Sequence, residues 1–155
     1  LIELGTPHRP TIRIQRKKMG LYLFICDGEK ELLGIDVGFY SDFGWFRGLI
    51  AENLEGGEFG SRFPTLMLHS DCDGQWSPEE AKLLEKELQC IKVELETFSP
   101  IDLNSGWQIS VAETMGLEIE SLYDCFFDVN GEPLVDGLIR LAKTSYTNQL
   151  PILFQ

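Results

Sequence analysis

Apolar positions first gather in an unbroken run, Leu21 to Cys26 ("LYLFIC"), which predicts a strand buried on both faces. Asp27-Gly28-Glu29-Lys30 supplies a turn. In "LLGIDVGFY", Leu33, Ile35, Val37 and Phe39 alternate with Gly34, Asp36 and Gly38, so a second strand turns that set inward and pairs with the first as a hairpin. The period then becomes helical. Ser41 or Asp42 is placed to cap a helix carrying Phe43, Phe46, Leu49, Ile50 and Leu54 along one stripe, and "EGGEFGSR" ends it. "FPTLMLH" predicts a third strand. From Ser77 to about Phe98, Ala81, Leu84, Leu88, Ile91 and Leu95 mark the inner face of a long helix whose other face is rich in Glu and Lys. Ser99-Pro100 stops it. Trp107 to Met115 predicts a shorter helix closed by Gly116. "SLYDCFFDVNG" predicts a strand running into an Asn-Gly turn, though its first residues also suit a helix. Leu134, Leu138, Leu141 and Ala142 mark one more helix, and "PILFQ" a closing strand.

That order, β-β-α-β-α-α-β-α-β, predicts an α+β fold. It implies a single domain with an about five-stranded, mostly antiparallel or mixed sheet, covered by about four helices. A chain of 155 residues, 43% of them hydrophobic, has enough apolar mass for one real core and too little for two. No run of about 18 apolar residues occurs, so no membrane partner is expected. The N-terminus also lacks the pattern of a secretory signal. Cys26, Cys72, Cys90 and Cys125 form no Cys-x-x-Cys pair, and their placement in strands and helices suggests reduced, mostly buried thiols.

Charge changes the picture further. The formal net charge is -12, from 25 acidic and 13 basic residues. Arg9, Arg13, Arg16, Lys17 and Lys18 all precede Met19, where Glu3 is the one acid. The chain from Met19 onward therefore carries 8 basic against 24 acidic residues, a net of -16. A body this acidic repels phosphate backbones, which argues against nucleic acid as a partner and suits a basic protein. Residues 1–18 lack a clear period and carry the opposite sign, whereas a strong strand begins just after Met19. They read as a leader or an added extension, disordered or peripheral, ahead of a domain spanning 19–155. A basic arm with a binding role is the other reading.

The stretch from His69 to Glu80, "HSDCDGQWSPEE", approaches a calcium-binding loop. In such loops oxygen ligands stand at positions one, three, five, seven, nine and twelve, with Gly at six. Gly74 at six puts Asp71, Asp73 and Glu80 at three, five and twelve. Position one is then His69, whose imidazole is a poor ligand for a hard cation. The same residues also make a strand-turn-helix junction, with Ser77 as N-cap, Pro78 at the first helical position and Glu80 completing a capping box. A metal-responsive module using His69, Asp71, Asp73 and Glu80 thus stands as an alternative, and a metal-assisted hydrolase using His69 with Asp71 or Asp73 as a third. The capping reading requires neither metal nor cofactor. Trp45, Trp76 and Trp107 are candidate interface anchors as well as ordinary core residues.

Taken together, "MGLYLFICDG", "DVGFYSDFGWFR", "GSRFPTLMLHSDCDGQWSPEEAKLLEKEL", "LYDCFFDVNGEPLVDGLIRL" and "PILFQ" resemble the immunity proteins of bacterial polymorphic toxin systems, in particular immunity protein 70. The resemblance runs from Met19 to Gln155 and rests on the succession of segments. It implies a non-enzymatic cytoplasmic protein, with no catalytic residue and no cofactor, that binds and neutralises a cognate toxin domain. Acidity adds the expectation of a basic, nuclease-type toxin. Asp71, Asp73 and Trp76, with Asp42 and Trp45, are the expected contact residues.

Overall fold

The computed structural model describes residues 20–155. The proposed leader at 1–18 and the domain start at Met19 lie outside them. Leu21–Asp27 (β1) and Lys30–Gly38 (β2) form the expected antiparallel hairpin. Leu21, Leu23 and Ile25 are fully buried on one face of β1, and Tyr22 and Phe24 nearly so on the other. A strand buried on both faces belongs in the middle of a sheet, and β1 is there. Ile152–Phe154 (β4) pairs with its free edge, and Gln75–Trp76 (β3) pairs with β4. The sheet order is β2-β1-β4-β3, antiparallel throughout.

Five α-helices occur among the described residues: Tyr40–Leu54 (α1), Pro64–Met67 (α2), Pro78–Leu95 (α3), Gly106–Met115 (α4) and Leu134–Asn148 (α5). The fold is α+β in a single domain, with four strands among the described residues against about five expected. α3 buries the expected Ala81, Leu84, Leu88, Ile91 and Leu95, and packs against α5, whose Leu134, Val135, Leu138, Leu141 and Ala142 face the same core.

Several expectations need correction. "FPTLMLH" is not a strand: Pro64 opens one helical turn, and the Glu87 carboxylate of α3 accepts the Thr65 and Leu66 N–H groups at 3.0 Å each. Leu66 and Met67 are buried while Leu68 is exposed, so period two fails there. A short apolar run does not distinguish a strand from a buried turn of helix, and here the cap supplied by another element decides. The strand expected in "SLYDCFFDVNG" is also absent. Leu122–Cys125 forms a 3-10 turn, held by Asp124 Oδ2 accepting from Glu120 N–H (2.9 Å) and Ser121 N–H (3.1 Å). Such side-chain acceptors compete with ladder formation. α1 begins one residue before Ser41, with Asp42 inside its first turn. All four cysteines are free, but Cys72 and Cys90 are exposed rather than buried. No helix among the described residues is long and apolar enough to cross a membrane.

Candidate functional site

Three groups from elsewhere hold the His69–Glu80 loop in place. Arg47, buried on α1, aims Nη1 at the carbonyls of Leu66 (3.1 Å), Met67 (3.3 Å) and His69 (2.8 Å), closing the end of α2. Burial lowers the pKa of its guanidinium, and the Asp71 carboxylate opposes that shift. The His69 ring stacks on Phe154 with centroids 4.2 Å apart. Its Nδ1 lies 2.8 Å from Ser70 O and its Nε2 2.9 Å from Gln75 O. Two carbonyl acceptors face two ring nitrogens, so the neutral ring serves one and only the cation serves both. Trp76 is fully buried and its indole N–H donates to Thr65 O at 3.0 Å.

These bonds occupy several of the groups a metal would need. The carbonyl of Gln75, which a calcium loop lends to its cation, instead faces the His69 Nε2 at 2.9 Å. Glu80 turns back to accept the Ser77 N–H at 2.9 Å while Ser77 Oγ accepts the Glu80 N–H at 3.1 Å, a complete capping box. Asp73 accepts from Ser70 Oγ at 2.8 Å. Gly74, at φ +85°, is needed for the turn itself. Helices flank the loop on both sides, closer to a calcium-binding arrangement than expected. Even so, His69, Asp71, Asp73 and Glu80 do not converge, and no three His, Cys, Asp or Glu among the described residues are grouped to hold an ion. This geometry gives the metal-module and metal-hydrolase readings no support.

The second cluster is built around Asp42, which is buried. Its Oδ2 accepts from Phe39 N–H (2.9 Å) and from the Trp107 indole N–H (2.8 Å), and its Oδ1 from Asn104 Nδ2 (3.0 Å). Gln108, the buried residue of α4, accepts the N–H groups of Asn104 and Ser105 at 2.8 and 3.1 Å. Asp42 thereby fastens α4 to the start of α1, while Gln108 caps the first turn of α4. Gly38, at φ +110°, brings the backbone so close that a Cβ there would stand 2.7 Å from Trp107 Cζ2. Between these walls lies an open groove of about 320 Å³, lined by Asp36, Gly38, Phe39, Trp107, Val111 and Val129.

The expected contact residues therefore divide. Asp71 and Asp73 are exposed. Trp76 is core, Asp42 is buried beneath the groove, and Trp45 is half-buried with its ring edge-on to Phe126 at 5.0 Å. Trp76 and Asp42 thus present almost nothing to a partner. Phe39 was expected inward by alternation, yet β2 ends at Gly38 and the ring is 53% exposed. Sequence reasoning missed Phe39 and Val111, and the positive φ of Gly38 that turns Phe39 outward has no signature in the apolar pattern.

The sequence profile of the immunity protein 70 family matches residues 23–154, nearly the whole of the fold just described. No curated protein and no solved structure matches the chain.

Proposed function

The chain belongs to the immunity protein 70 family, and we propose from that premise that it binds a cognate bacterial toxin domain and neutralises it by protein–protein contact, without catalysis and in the cytoplasm. The profile match over residues 23–154 carries this reading. Charge supports its finer form. A net of -12 over the chain favours a basic partner, such as a toxin whose cleft normally meets phosphate, over nucleic acid itself. Asp71 and Asp73, both exposed on the loop ahead of α3, add to the field that speeds encounter. Trp76 and Asp42 serve the reading from inside, by holding that loop and the groove wall in shape.

Affinity capture with the full chain from lysate of the native host, eluted by a salt gradient, yields the candidate toxins. Each is then expressed with and without the chain, and growth is compared. Restored growth with one stoichiometric partner is the expected result. Failure to protect against every captured protein overturns the reading.

A further inference from the structure

We propose that the groove between the β2–α1 junction and α4 is the surface that grips the toxin, and that its occupant is an apolar side chain of the toxin domain flanked by lysine or arginine. This inference rests on the reading of the chain as a toxin-binding protein.

Three observations point there. The first is the groove's make-up. Phe39, Trp107, Val111 and Val129 give it an apolar lining beside Asp36, with space for a large side chain. Met115, 52% exposed, extends the apolar strip from Val111, since both approach Gly131. Contiguous exposed apolar surface rimmed by polar groups marks interaction sites. The second is that α4 has little internal work to do: among its ten residues only Gln108 is buried. A helix of Trp, Ile, Val, Ala and Met pinned to the body by polar bonds presents its apolar side chains to something else.

The third is charge, and it selects the occupant. From Val93 to Ile139 the chain has ten acidic residues and no Lys, Arg or His. Asp36 lines the groove, and Glu113 and Glu132 are exposed on the segments that wall it. The next cation, Arg140, acts on Asp128 and Asp136. An apolar slot whose charged neighbours among the described residues, Glu113 and Glu132, are acidic rewards an apolar anchor that brings positive charge with it. The slot is also preorganised. Asp42 holds the Trp107 indole at 2.8 Å, so little side-chain freedom is lost on binding.

The test uses the full chain and, as probe, the purified toxin domain that the wild-type protein neutralises in the growth assay. Val111→Arg and Phe39→Lys place positive charge in the slot, and Glu113→Lys reverses the rim. Val111→Arg and Phe39→Lys are expected to weaken binding by about 30-fold or more, chiefly through faster dissociation. Glu113→Lys is expected to slow association several-fold at low salt and hardly at all at high salt. Melting temperatures verify folding. Should Val111→Arg unfold the protein, Phe39→Lys reads the same surface from an exposed position. Binding within two-fold of wild type for each folded slot variant overturns the inference and leaves the toxin-binding reading intact. A wild-type chain that neutralises no toxin overturns both.

Discussion

Asp42 shows how much one side chain decides. Its carboxylate meets only donors: Phe39 N–H, the Trp107 indole N–H and Asn104 Nδ2. Asp42→Ala removes the shared acceptor of three part-buried hydrogen bonds and should cost about 1–3 kcal/mol in denaturant unfolding. Asp42→Asn keeps the shape but turns an NH2 toward a donor. It should cost less, because Asn104 rotates its amide to offer an oxygen. Equal losses for the two variants would contradict this account. His69 behaves likewise as a structural residue, stacked on Phe154 and wedged between two carbonyls. His69→Ala should lower the melting temperature by several degrees, on the order of a 1 kcal/mol loss. A catalytic histidine would leave folding untouched. At the surface, Arg62 donates to both Glu94 oxygens at 2.8 and 2.5 Å, and the Cys90 thiol adds a third bond at 3.1 Å. Arg62 first and Cys90 second hold the Glu94 carboxyl down at about 2 from an ordinary 4.5. A depressed folded value means stability present above pH 4.5 and lost as pH falls toward 2. Acid unfolding should therefore move to higher pH in Arg62→Ala, which removes the larger part of that contribution and leaves the Cys90 bond. The effect is small, since the side chains are 41% and 32% exposed.

At the level of elements, local chemistry and tertiary context divide the work. α3 needs little help. Its apolar stripe, its Ser77–Glu80 capping box and Pro78 in its first turn all state the same helix. Ser77→Ala should cost about 1 kcal/mol in thermal or denaturant unfolding, with the helix start intact elsewhere. The loop before it makes a separate prediction. Because Glu80 caps and Gln75 O faces His69, calcium should leave the melting temperature unchanged. A rise with calcium would restore the metal reading by linkage. α2 is the opposite case. Four residues do not form a stable helix alone. Glu87 from α3 and Arg47 from α1 cap its two ends from a distance, and neither partnership is visible in "FPTLMLH".

For the whole molecule, the decisive quantity is the field of an acidic body with a net charge of -12. Association with a basic toxin should slow by about ten-fold or more between low and high ionic strength, as stopped-flow rates would show. A salt-independent rate would remove the electrostatic part of the proposal.

What the sequence determined by itself lies where the signal is long or chemically redundant. The β1–β2 hairpin, the stripe of α3, the closing strand at "PILFQ", the α+β class and the sign of the charge are all legible without coordinates. Each rests on periodicity, on neighbouring caps or on composition. Trp107 is legible as one of three candidate anchors, but nothing in the sequence marks it off from Trp76 and Trp45. Only the tertiary structure decided that Trp76 is core, that Trp45 leans on Phe126, and that Trp107 walls a groove. It also decided that Gln75–Trp76 forms an edge strand, and that the stretch after Glu120 turns first on Asp124 and then on Asp128 rather than joining the sheet. The reason is distance along the chain. Asp42 reaches Trp107 across 65 positions and Arg47 reaches His69 across 22. Hydrophobic periodicity reports only a residue's near neighbours and the face it turns inward. The identity of what lies opposite is fixed when separate elements pack, and the groove exists only as the gap they leave.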